Sequence, residues 1–450
     1  MKKIALFQFL VTAFGLNAQL CFNIDTSSWG SPPRPNCIIT ADFNGDGKPD
    51  IVTSNYYSSV ASVSVLLGSG TGTFLAAMTY TTNGAATSLC SADFNLDGKQ
   101  DVVVNDVTNN KVIFLSGNGS GGFSSSAAFG VGTDPNFILT DDFNNDGKPD
   151  VAAANFQSNN ISVLLGNGSG SFTTGATLNS TNPEVLSTAD FNLDGKMDIA
   201  ATNYTLNCIS VFLGSGSGSF GTASYITFTS GFNPGFVISP DINADGKPDL
   251  VTVANNNSEL AISLGNGSGG FNAPAYIITP ALAVCSGDFN GDGKADLANA
   301  YNYNEVSILP GTGSGNFGAA SNFFIGTQPR SICKADFNAD GKEDLATADI
   351  LSSYVSVLLN CTVSGISNYN PLYTLKAYPD PANDRLLVEC NAGLQGRELT
   401  LRNILGNTIL KIKIHGSKEM IDIQNIENGV YFLSILMEQG FTERKIIIQH

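Results

Sequence analysis

The sequence predicts an all-β chain, a seven-bladed β-propeller followed by a small, Ig-like β-sandwich. Three observations carry that expectation. A nine-residue acidic loop recurs seven times at a spacing near 49 residues. Each copy sits in the same frame of short apolar runs and Gly-rich turns. The composition leaves that frame only toward the C-terminus, where Lys, Ile and Glu become more frequent. A fixed period of this length marks one supersecondary unit per repeat, which buries its apolar faces against its neighbours.

The chain opens with Met1-Lys2-Lys3, an apolar run from Ile4 to Leu16, and Asn17-Ala18-Gln19. A basic start, a short apolar stretch and a small residue read as a secretory signal peptide over 1–18, cut after Ala18. No later stretch is long and apolar enough for a transmembrane helix, so the mature protein is expected to be secreted or held at the outer cell surface.

Each repeat then reads as four strands. The acidic loop leads into an apolar strand such as Asp101-Val-Val-Val104, and a polar turn follows. Next come a strand such as Ile161-Ser-Val-Leu-Leu165 and a Gly-rich hairpin such as Gly166-Asn-Gly-Ser-Gly-Ser-Phe172. A last strand ends in a short apolar run before the next loop. Four short strands per repeat is the content of one propeller blade. The seventh repeat stops after Val355-Ser-Val-Leu-Leu359, while Phe22–Trp29 resembles the missing fourth strand, as comparison with Phe317–Phe324 shows. An N-terminal strand that completes the last blade closes the ring and removes its open edges. Closure also brings Cys21 and Cys361 together, either as a disulfide or as two unpaired thiols. Of the eight cysteines, Cys90, Cys285 and Cys333 each stand three residues before a repeated Asp. Equivalent positions in different repeats cannot all pair, so these read as small apolar residues on a buried strand.

The loops are DFNGDGKPD from Asp42, DFNLDGKQD from Asp93, DFNNDGKPD from Asp142, DFNLDGKMD from Asp190, DINADGKPD from Asp241, DFNGDGKAD from Asp288 and DFNADGKED from Asp336. Five positions of each offer oxygen: the side chains at positions 1, 3, 5 and 9, and the backbone carbonyl of the Lys at 7, whose side chain cannot ligate. The expected metal ligands are therefore Asp42, Asn44, Asp46, Lys48 and Asp50; Asp93, Asn95, Asp97, Lys99 and Asp101; and Asp142, Asn144, Asp146, Lys148 and Asp150. The later loops offer Asp190, Asn192, Asp194, Lys196 and Asp198; Asp241, Asn243, Asp245, Lys247 and Asp249; Asp288, Asn290, Asp292, Lys294 and Asp296; and Asp336, Asn338, Asp340, Lys342 and Asp344. Position 6 is always Gly, which permits a sharp turn at positive φ. Hard oxygen donors in a tight turn select Ca²⁺, about seven ions, one per blade. Position 12 is Thr53, Val104 or Ala153 rather than the Glu of an EF-hand, and a strand follows instead of a helix.

Charge fits that assignment. The loops hold 21 Asp and seven Lys, and with Glu343 they carry −15 of the net charge of −17. Carboxylates clustered in one turn repel unless a cation lies between them. The acidic balance also excludes nucleic acid, whose phosphates need a basic surface.

Loop and Gly-rich hairpin together resemble the FG-GAP/VCBS repeats, the calcium-binding blades also used by integrin α-subunit propellers, over about residues 20–361. The resemblance implies a propeller over 19–361 with calcium loops between strands one and two on one face. Ligands then meet the opposite face. The tail carries Tyr378-Pro-Asp-Pro-Ala-Asn-Asp384, Leu405-Gly-Asn407, Asn428-Gly-Val-Tyr-Phe-Leu433 and Arg444-Lys-Ile-Ile-Ile448. It resembles the C-terminal sorting domain of the type IX secretion system of Bacteroidetes, with Asp380 where that family more often has Asn. This implies a sorting domain over 373–450 and the type IX export machinery as a partner, and the shift in composition marks a linker over 362–372 before it.

On the ligand face, the turns between strands two and three supply Asn55, Tyr56, Tyr57, Asn155, Phe156, Asn203, Tyr204, Tyr301, Tyr303 and Tyr354. They read either as a ring of aromatic rings and amides suited to a glycan or peptide, or as turn-forming Asn with Tyr packed between blades. The only histidines, His415 and His450, lie in the tail, so the propeller can hold no Ser-His-Asp or Cys-His triad. The expected function is a monomeric, non-catalytic binding or adhesion module for a glycan or an extracellular protein. The alternative is a carbohydrate-active enzyme, a polysaccharide lyase or hydrolase, built on a calcium propeller.

Overall fold

The computed structural model describes the whole chain except residues 1–19, 26–33, 57–60, 83, 256–257, 302–303, 363–374, 380, 391–396, 404–407, 415, 417 and 438–439. The expected signal peptide lies outside the described residues. The chain divides into two units: Leu20–Thr362, and a second that holds the described residues from Leu375 onward.

The first unit is built of seven four-stranded antiparallel sheets. The first blade runs outward through Pro35–Ala41, Asp50–Asn55, Ala61–Leu66 and Met78–Thr82. The five that follow repeat the same order, and their innermost strands begin near Leu89, Pro135, Pro183, Pro234 and Ala283. The seventh contributes Pro329–Ala335, Asp344–Asp349 and Tyr354–Asn360, and its fourth strand is the N-terminal Phe22–Asp25. There Phe22 pairs with Asn360 and Asp25 with Val357. The first strand of every blade packs against the first strands of its two neighbours, and Pro35–Ala41 packs against Pro329–Ala335, so the ring is closed.

The second strand of each blade is buried along nearly its whole length, as in Asp101–Asp106 and Asp150–Asn155. This explains its unbroken apolar pattern: a blade between two others is covered on both faces. The core is accordingly seven layers, one between each pair of adjacent blades. Val52, Val63 and Val65 meet Val102, Val104 and Leu115. The layer between the last two blades includes Phe22 together with Phe289 and Leu358. The outermost strands face solvent, and Phe123–Gly130 is mostly exposed.

Cys90 is buried and Cys285 and Cys333 are half-buried, all on innermost strands, as small apolar residues there should be. Burial pushes the Cys285 thiol up to about 12. Cys21 and Cys361 form a disulfide beside the closing strand pair.

The second unit is a sandwich of a three-stranded sheet and a four-stranded sheet. Strand Arg385–Cys390 is central in the first, and Glu398–Asn403 and Gly429–Met437 are the inner pair of the second. Leu386, Val388, Leu399, Leu401, Leu433, Ile435 and Ile446 form its core. No helix occurs among the described residues.

Candidate metal centres

The acidic loops join the first and second strands of each blade, so all seven lie at one end of the ring. In the first loop, the Asp42 carboxylate accepts from the backbone N–H of Asp46 at 3.2 Å and of Gly47 at 2.8 Å. Asn44 Oδ1 accepts from Asp46 N at 2.9 Å, and Asp46 Oδ1 from Lys48 N at 3.0 Å. These short-range bonds are what Asx side chains make in turns, and they wind the loop tightly. Gly47 sits at φ +78° with open space where a Cβ would stand, so the backbone angle alone selects glycine there. Position 4 is also left-handed, even where it is Leu96, Leu193 or Ala339. Sequence reading missed this, because the residue type varies.

The ninth-position aspartates do more than offer oxygen. Asp50 is fully buried. Its Oδ2 accepts from Phe43 N at 2.9 Å and its Oδ1 from Gly68 N at 2.7 Å. The same pair of bonds recurs at Asp101, Asp150, Asp198, Asp249 and Asp296, each to the loop's second residue and to the first Gly of the following hairpin. This explains that Gly: a Cβ at Gly68 would collide with the Pro49 carbonyl oxygen. In the seventh blade Asp344 makes the bonds to Phe337 N and Asn360 N.

The second loop residue is the other feature that sequence reading passed over. Phe43, Phe94, Phe143, Phe191, Phe289 and Phe337 are buried, as is Ile242. Several meet the hairpin Phe of the next blade edge to face, as in Phe94–Phe172 at 5.5 Å, Phe143–Phe220 at 5.7 Å and Phe191–Phe271 at 5.4 Å. The backbone joins in, since Gly121 N donates to Phe43 O at 3.1 Å and Gly170 N to Phe94 O at 3.1 Å. Each acidic loop is thereby pinned to the neighbouring blade. The recurrence of a large apolar residue at position 2, Phe in six loops and Ile242 in the fifth, was the available signal.

Electrostatics divides the three acids. Lys196 holds Asp194 below the usual carboxylate range by a hydrogen bond and its charge, and Lys247 does the same to Asp245. The corresponding pair in the first loop is Lys48 Nζ to Asp46 Oδ2 at 3.1 Å, and every loop has its equivalent. The ninth-position acids go the other way. Burial first, and then repulsion from the first- and fifth-position carboxylates, raises Asp150 and Asp198 to about 6. Among the described residues no group of three or more His, Cys, Asp or Glu side chains stands close enough to hold an ion as it is. The donors are nonetheless all oxygen, and each loop sets a buried carboxylate against two others, which a hard divalent cation suits and a soft one does not.

On the opposite face, of the two readings of the Asn residues, the structure favours turn formation over a ring of amides. Asn55, Asn155 and Asn203 are fully buried at the ends of second strands. Asn55 Nδ2 donates to Ser62 Oγ and Ser64 Oγ, Asn155 Nδ2 to Asn160 Oδ1 and Ser162 Oγ, and Asn203 Nδ2 to Ser210 Oγ. A buried amide must satisfy its donors within the protein, so these side chains close their own turns. Tyr56 and Tyr204 are exposed, while Phe156, Tyr301 and Tyr354 are half-buried. Tyr57, Tyr303 and His415 lie outside the described residues.

The chain matches the FG-GAP-like repeat over 42–104, 93–152, 142–201, 190–252, 241–298 and 288–347. Each match runs from one acidic loop through the next, so six matches span seven loops. Residues 376–449 match a secretion system C-terminal sorting domain. No curated protein matches the chain by sequence. Among solved structures, BBS1N in complex with ARL6DN, soaked with mercury, has a TM-score of 0.55 at 11% identity, over 78% of this chain and 99% of that one. The same complex soaked with lead has a TM-score of 0.54 at 12% identity, over 76% and 97%. A protein from Lactobacillus plantarum has a TM-score of 0.50 at 14% identity, over 83% and 99%. At such identities these likenesses concern the fold alone.

Proposed function

The chain belongs to the FG-GAP-like repeat family and carries a secretion-system C-terminal sorting domain that marks it for the cell surface or the medium outside, and on that premise we propose that it is a calcium-loaded, non-catalytic binding module. No helix among the described residues is long and apolar enough to cross a membrane. The observation that carries the calcium reading is the sevenfold recurrence of one oxygen-only donor set around a buried carboxylate. In each loop the first, third, fifth and ninth side chains and the carbonyl of the seventh residue would hold the ion. Its charge would relieve the repulsion that raises the ninth-position acids. Seven ions would leave the mature protein with a small net charge. Their role is structural, because each loop is pinned to the next blade through its buried second residue, Phe in six loops and Ile242 in the fifth.

The binding role rests on the propeller's lack of histidine and on the engagement of its abundant Asp in the loops. The ligand is a glycan or an extracellular protein, met by a monomer on the face away from the loops, and export runs through the type IX machinery.

Metal analysis of the purified mature protein is expected to find about seven Ca²⁺ per chain, and EDTA is expected to lower Tm reversibly. Protein free of metal, melting identically with and without EDTA, would falsify the calcium reading. A glycan and matrix-protein array should give saturable binding without product; polysaccharide turnover would overturn the non-catalytic reading.

A further inference from the structure

On the face away from the acidic loops, the ring's axis opens into a cavity of about 340 Å³, lined from every blade by residues at or near the start of its innermost strand. Two charged side chains line it, Glu184 of the fourth blade and Arg330 of the seventh. These stand three blades apart, as far as a ring of seven allows, and no ion pair joins them among the described residues. The polar side chains at the first two blades are already engaged: Asn36 Nδ2 donates to Thr87 O at 2.7 Å, and Thr87 Oγ1 to Asn136 O at 2.9 Å. Glu184 is different. Its Oε2 is buried and has no hydrogen-bond partner. Phe137 and Phe236, from the third and fifth blades on either side of it, line the same cavity.

A buried carboxylate oxygen without a donor is costly unless something brings one. A carboxylate that shares a cavity with two aromatic side chains is a setting that favours a compact cation, through an ion pair and through contact with the rings. We propose that this axial cavity is a receptor site for a primary ammonium group, with Glu184 as the counter-ion and Phe137 and Phe236 as its walls. Burial alone raises the Glu184 carboxyl to about 7, and a bound ammonium would lower it. The other titratable groups lining the cavity are Cys37 and Arg330. Arg330, exposed at the rim, disfavours a second positive charge, so the site takes a monoamine in preference to a polyamine. The volume suits a ligand of side-chain size. The ammonium is either that of a free small amine or that of a lysine presented by a partner protein. This deepens the reading of the propeller as a binding module without depending on which glycan or protein the outer face meets.

Isothermal titration calorimetry on the mature, calcium-treated protein at pH 8 tests it, with n-butylamine and Nα-acetyl-lysine methylamide as probes and putrescine as the polycation. Saturable binding of a monoamine is expected, weakened about tenfold or more in Glu184→Gln and tightened in Arg330→Gln. A lysine derivative that binds well above n-butylamine identifies a protein lysine as the source; equal affinities identify a free amine. The proposal is overturned if neither monoamine binds, or if Glu184→Gln, with wild-type Tm, binds them as wild type does. Array binding that survives such a result would leave the broader binding function standing while this site falls.

Discussion

The buried carboxyl of Asp349 occupies a position that the first, third and fourth blades give to an amide. Thr347 Oγ1 donates to its Oδ1 at 2.9 Å and Ser356 Oγ to its Oδ2 at 2.5 Å. In the first blade Thr53 Oγ1 donates to Asn55 Oδ1 at 2.9 Å, and Asn55 Nδ2 donates to Ser62 Oγ at 3.0 Å. The frame is the same, but the acid must lose its charge or hold it buried. Burial, only partly offset by these hydrogen bonds, raises Asp349 to about 7. A carboxyl whose folded value lies above its unfolded value favours the folded state at low pH. Its contribution is complete below about pH 4 and is lost as pH rises toward 7. Asp349→Asn is therefore expected to melt higher than wild type at pH 8, by an amount of order 2 kcal/mol, with the difference shrinking toward pH 4. Melting curves of the two proteins across this range check it, and a constant difference would refute it. At this scale the sequence was partly legible. The acidic loop residues announced themselves by type and spacing, whereas Asn55, Asn155 and Asn203 could be read either as surface amides or as turn formers and proved buried, because polarity does not reveal which groups find partners inside a blade.

The seventh blade solves a problem at the scale of a strand. In the first five blades the third Gly of the hairpin donates its N–H to the loop Phe carbonyl of the preceding blade, as Gly72 does to Phe337 at 2.9 Å. The seventh blade has no such hairpin, because its outer strand comes from the other end of the chain. Asn360 takes over. Its N–H meets Asp344 Oδ1 at 2.6 Å, as the first hairpin Gly does elsewhere, and its Nδ2 reaches Phe289 O at 2.9 Å and Glu343 O at 3.2 Å. One side-chain amide thus replaces the backbone donor of the absent turn. Asn360→Ala should leave the buried carbonyls of Phe289 and Glu343 short of a donor and lower stability by about 1–3 kcal/mol. Chemical denaturation measures this, and a loss below a few tenths of a kcal/mol would show that the amide is dispensable. The strand itself was legible, since Phe22 stands opposite Asn360 as Phe74 stands opposite Gly68. The substitution of a side chain for a turn was not, since it depends on contacts with the sixth blade.

Across the whole molecule, stability rests on closing the ring. Phe22–Asp25 pairs with Tyr354–Asn360, Cys361 N donates to Cys21 O at 2.9 Å, and the Cys21–Cys361 disulfide spans 340 residues of sequence. A cross-link over so long a loop removes much conformational freedom from the unfolded chain, although measured gains usually fall short of the ideal. Replacing both cysteines by serine is expected to lower stability by about 2–5 kcal/mol and to make melting insensitive to reductant; a double variant as stable as wild type would show that strand pairing alone closes the ring. The sequence by itself determined the repeat, the number of blades, the acidic loop in each blade, the closing strand and the sorting tail. Each of these is written in local type and spacing, and seven copies make such a pattern unmistakable. Only the tertiary structure decided that the ninth Asp is a backbone staple as well as a candidate ligand, that the loop Phe locks neighbouring blades, and that Glu184 faces an axial cavity with nothing to pair it. Those properties belong to groups far apart in the chain, and they arise only when the ring brings one blade against the next.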